Sequence, residues 1–378
     1  MKIIYLLSAR YPTEKAYGVT VGNTIKEFKE INENIEIVSW GSHVDDIFGN
    51  KIISLVKHPI RIPKFIYRLN SSTIRRTAFS INQMIFGIYL ILKTDYRTKR
   101  NVYWTREPLT LVPQLILRRR YQYIIELHHP ASKIIVFTIE MLSRRSKVVV
   151  IVLDKKSQEH HQRLLKDILI AVIPMGVPDS FFLQPKQKNF KPFVVGYIGK
   201  GMSSGNDNEL YEIIYAAREL NSKIEVEFLF IGLEPSYKRK MQEIIHENGL
   251  EVDDYTFIDH VSHTDIPHLL EKMSVGLLPY GDNAYNSERF PIKSLEYAAA
   301  GLPIIATDTQ VHRDLLSSDF TFFYRKNDFT NLASQITQVQ NISGTSESFW
   351  KSASTFAKKF TYDERVRMIS AIIDENFG

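Results

Sequence analysis

Short apolar runs recur along the whole chain, separated by stretches in which apolar positions return every three or four residues. In the first half the runs are Lys2 to Leu7, Ile35 to Trp40, Asn101 to Trp104, Tyr123 to Leu127, Lys147 to Val152 and Leu169 to Ile173. Each reads as a strand, and Val21 to Ile31 reads as a helix after the loop Arg10 to Thr20. In the second half the runs are Phe193 to Ile198, Glu225 to Ile231, Tyr255 to Ile258, Val275 to Pro279, Pro303 to Ala306 and Phe320 to Tyr324. Helical patterns lie between them, at Asn208 to Leu220, Pro235 to Asn248, Thr264 to Met273 and Pro291 to Ala300. Strands that alternate with helices predict an α/β fold with parallel sheets.

The two series are separated by Pro178 to Pro192, a polar stretch punctuated by prolines that reads as a linker. The predicted division is residues 1–180 for an N-terminal Rossmann-like domain and 190–360 for a C-terminal one. Residues 361–378 are expected to form a helix that packs back on the N-terminal domain. Two Rossmann-like domains facing each other across a cleft would place a ligand there, outside the carboxyl ends of their strands. A chain of 378 residues accommodates two cores comfortably.

Composition narrows the class. With 44% hydrophobic and 24% charged residues the chain is an ordinary folded protein, and the absence of cysteine excludes disulfides and thiolate chemistry. Ile3 to Leu7 is too short for a signal peptide, and Ile81 to Leu92 is shorter than the roughly 20 residues a membrane span needs. A cytoplasmic protein without a transmembrane helix is expected.

Charge is unevenly spread. Residues 1–180 hold 28 Lys+Arg against 15 Asp+Glu, while the remainder holds 20 against 27, so the halves carry +13 and −7. From Lys51 to Arg100 there are 11 basic residues and one acid, Asp95, interleaved with apolar residues such as Ile52, Ile60, Phe65 and Ile66. A basic amphipathic stretch suits an anionic membrane surface, here the inner leaflet, where the protein would bind peripherally. A solvated face over an ordinary core is the plainer reading. No zinc finger or RNP-like motif accompanies the charge, so nucleic acid is not an expected partner.

The chemistry concentrates in Glu288 to Asp308. Pro291 suits a first helical position, Gly301 a C′ cap, and Pro303 opens a short apolar strand. The first turn would offer the N–H groups of Ile292, Lys293 and Ser294 and the positive end of the helix dipole, an anion site to which Lys293 adds a full charge. Glu296, three residues on, can accept hydrogen bonds from two vicinal hydroxyls, and Glu288 in the preceding loop can meet a further polyol. Phosphate, ribose and sugar are what a nucleotide sugar presents. A Lys/Glu pair at this spacing is also a common solvated helix face.

Glu288, seven residues, Glu296 and then Tyr297-Ala298-Ala299-Ala300-Gly301-Leu302-Pro303-Ile304-Ile305-Ala306 resemble the donor-binding motif of the retaining GT-B glycosyltransferases of family 4 (glycosyl transferases group 1). Further similarities run along the chain. Gly196-Tyr197-Ile198-Gly199-Lys200 resembles the strand and loop that open the family's second domain, which implies that Lys200 meets the donor diphosphate. Tyr17-Gly18 resembles the glycine loop that touches the donor, and Ile173 to Pro178 resembles the stretch closing the first domain. His128, after the strand Tyr123 to Leu127, matches the family's active-site histidine, with His129 as a rival. Two departures stand out. No second lysine follows Lys200, since Met202 to Asn208 carries none, and Lys293 is expected to supply that charge. Arg289 stands beside Phe290, where a small residue is common, which bears on the expected backbone contact of Phe290 with the sugar.

The resemblance implies transfer of a sugar from a nucleoside diphosphate sugar to a glycan or lipid-linked glycan acceptor, with retention, in cell-surface polysaccharide or glycoconjugate synthesis. Glu288 would hold the sugar, Glu296 the ribose, and Lys200 and Lys293 the diphosphate. Glu288 and His128 would serve the reaction centre. The base would lie near His260-Val261. No metal is expected: there is no Asp-x-Asp or HExxH, and His160-His161 and His263 with His268 read as surface histidines. A non-catalytic nucleotide-sugar-binding scaffold and a GT-B epimerase remain as alternative readings.

Overall fold

The computed structural model describes residues 1–8, 11, 16–31, 34–39, 52–54, 72–92, 101–116, 120–184, 192–203, 206–208, 210–220, 225–281, 286, 290–342 and 346–378. The chain divides into two compact units, Met1–Gly176 with Tyr362–Gly378, and Val177–Thr361. Glu288 and Arg289 lie outside the described residues, as does the Lys51 to Arg100 segment apart from 52–54 and 72–92.

In the first unit seven strands form one sheet: β1 (Lys2–Leu7), β2 (Ile35–Ser39), β3 (Ile52–Ser54), β4 (Asn101–Thr105), β5 (Gln122–Leu127), β6 (Lys147–Val152) and β7 (Leu169–Val172). Their order is β3-β2-β1-β4-β5-β6-β7, and every pairing is parallel. The described α-helices of this stretch are α1 (Ala16–Glu30), α2 (Ser72–Leu92), α3 (Lys133–Ser143) and α4 (Lys155–Leu164). Burial on both faces explains why the strands are continuously apolar. In β1, Ile3, Tyr5 and Leu7 join Val21, Ile25 and Phe28 of α1, while Ile4 and Leu6 join Phe86 and Leu90 of α2 on the other side.

One local reading needs correction, and one helix has no counterpart in the sequence reading. α1 starts at Ala16, five residues before the predicted start, so Gly18 lies in its first turn and is buried, rather than in a loop before it. Tyr17 packs on the same core as Val21, Ile25 and Phe28, and this apolar spacing carries the helix back through Gly18. The run Ile81 to Leu92 belongs to α2, which is apolar on two sides. Phe86 and Leu90 are buried, whereas Ile81, Met84, Ile88 and Leu92 are exposed on a common stripe, so no single helical period stands out in the sequence.

The second unit is built on β8 (Phe193–Ile198), β11 (Val226–Ile231), β12 (Tyr255–Ile258), β13 (Val275–Leu278), β14 (Ile304–Thr307) and β15 (Thr321–Tyr324), with a small hairpin of β9 (Met202–Ser203) and β10 (Asn206–Asp207). The six strands are parallel in the order β12-β11-β8-β13-β14-β15. Between and after them come α5 (Tyr211–Glu219), α6 (Pro235–Glu247), α7 (Ile266–Leu270), α8 (Ile292–Ala299), α9 (Gln310–Leu315), α10 (Phe329–Ile342) and α11 (Ser346–Ala357). The last helix, α12 (Tyr362–Phe377), belongs to the first unit, where Val366, Ile369, Ile373 and Phe377 enter the core beside α1. Within the stretch read as a linker, Phe181 is fully buried in the core of the second unit.

Helix α8 is fixed at both ends. The amide of Gly301 donates to the carbonyl of Ala298 and that of Leu302 to Tyr297, a Schellman closure that needs the left-handed φ of 71° at Gly301. Tyr297 lies across β13 at Gly276, where a Cβ would come within 2.4 Å of the ring, and its hydroxyl accepts the amide of Ile198 at 3.0 Å. The helix is thus tied to the carboxyl end of β8. A Cβ at Gly301 would fall 1.8 Å from Cδ1 of Trp350. Gly301→Ala should therefore lower the unfolding free energy by about 2 kcal/mol or more, from backbone strain and the displaced indole together. Urea denaturation measures this, and an unchanged midpoint would contradict the assigned closure.

Candidate active site

In the second unit Lys200 follows β8, His263 follows β12, and α8 follows β13 and its loop, so all three come from the carboxyl end of the sheet. This is the end at which open α/β sheets bind ligands. Glu296, on the second turn of α8, is 2% exposed. Its Oε2 accepts from Lys293 Nζ at 2.6 Å and its Oε1 from His263 Nε2 at 3.1 Å. The ring of His263 rests against Phe181, centroid to centroid 5.0 Å.

His263 is therefore not the surface histidine expected from sequence. It orients Glu296 from 33 residues away, and nothing in its local sequence marks that partnership. The first turn of α8 also differs from expectation. The amide of Ile292 donates to Phe290 and that of Ser294 to Pro291, whose carbonyl also accepts from Ser294 Oγ. Two of the three expected anion-binding amides are thus satisfied locally, because tight turns cap the start of the helix. Phe290 is half-buried and packs on the core. Lys200 is exposed and pairs with Glu234 at 2.8 Å, a surface contact weak enough to exchange for a ligand.

In the first unit His128 stands just beyond β5, half-buried, while His129 is exposed. Arg106 Nη2 approaches His128 Nδ1 at 2.6 Å, and His128 Nε2 lies 2.5 Å from Glu126 Oε1. A guanidinium has only donors, so Nδ1 is the acceptor, and the ring proton sits on Nε2 and is donated to Glu126. Burial and the neighbouring Arg106 charge push the imidazole down to about 4 in spite of Glu126. Glu126 is itself held well below the usual carboxylate range: burial opposes its ionisation, but Arg365, His128 and Arg106 outweigh that. Arg106 and Glu126 carry no motif; Glu126 lies two residues before His128, whereas only the structure brings Arg106 to the ring.

His161 also departs from the surface reading. It is buried, accepts the amide of Ala131 at Nε2 and donates from Nδ1 to the carbonyl of Ser157, which anchors the segment after His128. Among the described residues no group of three or more His, Cys, Asp or Glu side chains is placed to hold a metal ion. No helix among the described residues is long and apolar enough to cross a membrane.

Residues 184–355 match the family described as glycosyl transferases group 1. The second unit is a group 1 glycosyltransferase domain. Solved structures similar over the full chain include sucrose-phosphate synthase from Thermosynechococcus elongatus, at 14% identity and a TM-score of 0.76, covering 100% of this chain and 99% of that one. Anabaena Alr3699/HepE, solved in complex with UDP and glucose, is 16% identical with a TM-score of 0.69, covering 99% of each chain. A glycosyltransferase from Rickettsia africae ESF-5 is 15% identical with a TM-score of 0.72, covering 99% of this chain and 98% of that one. At these identities the likeness is one of fold, and the fold is GT-B. TuaH of Bacillus subtilis (strain 168), assigned by name to teichuronic acid biosynthesis as a glycosyltransferase, is 39% identical over 44 residues, which span 12% of this chain and 11% of that protein.

In the group 1 domain, burial raises the Glu296 carboxyl while Lys293 and His263 more than offset it, holding it down at about 2. An unfolded glutamate titrates near ~4.3. The ionised carboxylate therefore stabilises the fold above that pH, and the contribution is lost as pH falls toward 2. Urea midpoints of the wild type should fall through this window, and Glu296→Gln should make the fall shallower. An identical pH slope in the variant would contradict the pairing.

Proposed function

We propose that the protein transfers a sugar, with retention, from a nucleoside diphosphate sugar to a glycan or lipid-linked glycan acceptor in cell-surface polysaccharide or glycoconjugate synthesis. The observation that carries this reading is Glu296, a buried ionised carboxylate in a group 1 domain, held between Lys293 and His263 at the carboxyl end of the sheet. Such a carboxylate accepts two hydroxyls of a ribose, and Lys293 beside it can turn its charge to a diphosphate. The complexes of Alr3699/HepE with UDP and with UDP-glucose support a donor of this class.

In this reading Lys200 and Lys293 neutralise the departing diphosphate, Glu288 and the Phe290 to Ile292 backbone meet the sugar, and Gly18 lies near the donor. His128 serves the reaction centre as a neutral imidazole. The positive charges do the work of a metal, so none is required. The first unit receives the acceptor. Lys200→Ala and Lys293→Ala should each lower turnover about ten- to a hundredfold, the value of a hydrogen bond to a charged group, with circular dichroism unchanged. Full activity in both variants would remove the diphosphate assignment. Slow hydrolysis of the donor without acceptor separates an enzyme from a non-catalytic sugar-nucleotide binder.

Docking on the inner leaflet is part of the proposal. Ile74, Ile81, Met84, Ile88 and Leu92 are exposed along one face of α2, which has no acidic residue, within the strongly basic stretch from Lys51 to Arg100. An apolar stripe in a basic segment suits an anionic bilayer. Co-flotation with vesicles containing phosphatidylglycerol should exceed that with neutral vesicles, and Ile81→Asp with Ile88→Asp should abolish it. Equal recovery with both lipids would remove the electrostatic part.

A further inference from the structure

Arg365 lies on α12, outside the group 1 match, and is 2% exposed. Its Nη2 donates to Glu126 Oε1 at 2.7 Å, and its Nη1 donates to the carbonyls of Ile173 and Pro174 at 3.0 and 2.6 Å. Glu126 is 1% exposed, and the same Oε1 accepts the Nε2 proton of His128. Arg106 closes the other side of the ring at Nδ1. One carboxylate oxygen thus joins a C-terminal guanidinium to the imidazole, across 239 residues of sequence.

We infer that Arg365 is a positioning residue which, through Glu126, fixes the ring orientation and the neutral Nε2–H tautomer of His128. The inference rests on the reading of His128 as a reaction-centre residue. A guanidinium under Glu126 locks the carboxylate in place and supplies the positive charge that would otherwise come from a protonated imidazole. Removing it leaves Glu126 with Arg106 as its remaining permanent cation among the described residues, and His128 then gains by taking up a proton. Among the described residues the charged and titratable groups around this ring are Arg106 after β4, Glu126 on β5 and Arg365 on α12, with Glu107 after β4, Tyr5 of β1 and Tyr17 of α1 close to the same cluster. Glu107 Oε2 accepts from the amide and hydroxyl of Ser8, at 2.5 and 2.6 Å.

The test is nitrogen NMR of histidine-labelled protein, with the His128 signals assigned from His128→Gln. In the wild type His128 should be the neutral Nε2–H form at pH 7 and stay so to near pH 4. Arg365→Gln should raise its midpoint by about one pH unit or more and lower kcat about tenfold with little change in the donor KM. Arg365→Lys should restore much of both, and Arg367→Gln, on the exposed side of the same helix, should alter neither. Unchanged titration of His128 in a folded Arg365→Gln protein overturns the inference whatever the activity. If that variant does not fold, a wild-type ring that is protonated at pH 7 or carries its proton on Nδ1 overturns it equally. Full transfer activity in His128→Gln, together with the expected NMR shift, would remove the reaction-centre reading and leave the positioning intact.

Discussion

A parallel strand cannot be reconnected by a tight turn, and that constraint shapes both units. Each strand of the two large sheets runs the same way, so each is followed by a crossover, and the crossovers cover both faces. The loops that leave the carboxyl ends are then the places where chemistry can gather without disturbing a core. Lys200, His263 and the start of α8 leave one sheet in this way, and Arg106 and His128 leave the other.

At the carboxyl end of each large sheet stands a nearly fully buried carboxylate that is kept ionised. Glu296 is balanced by one lysine and a histidine, whereas Glu126 is balanced by two arginines around a neutral histidine. Burial opposes each charge, and directed donors overcome it. The difference fits different tasks. Lys293 is partly exposed and can release Glu296 to a ligand, while Arg365 is enclosed and serves to hold.

Strand positions were legible from sequence because burial on both faces leaves an uninterrupted apolar run, as in Lys2–Leu7 and Val275–Leu278. The turn of Gly301 was legible because it closes a helix with local bonds. What stayed hidden depends on strand order. His263 reaches Glu296 because β12 and β13 share a sheet with β8 and β11 between them, and nothing in the spacing of the two residues encodes that. Helix α2 stayed hidden for a different reason: its apolar residues serve an inner face and an outer one at once. Tyr17-Gly18 resembles a glycine loop, yet Tyr17, Val21 and Ile25 carry one apolar face straight past Gly18.

The return of α12 to the first unit bears on how the chain is made. Val177 and Thr361 pair side by side where the chain leaves the first unit and comes back to it. On the ribosome the first sheet emerges early, with Glu126 and Arg106 already made, but the second arginine that neutralises the carboxylate arrives 239 residues later. Until then the core that will receive Val366, Ile369 and Ile373 lacks its last helix. The unit that is synthesised first is therefore the one that is finished last, after the whole group 1 domain has been made.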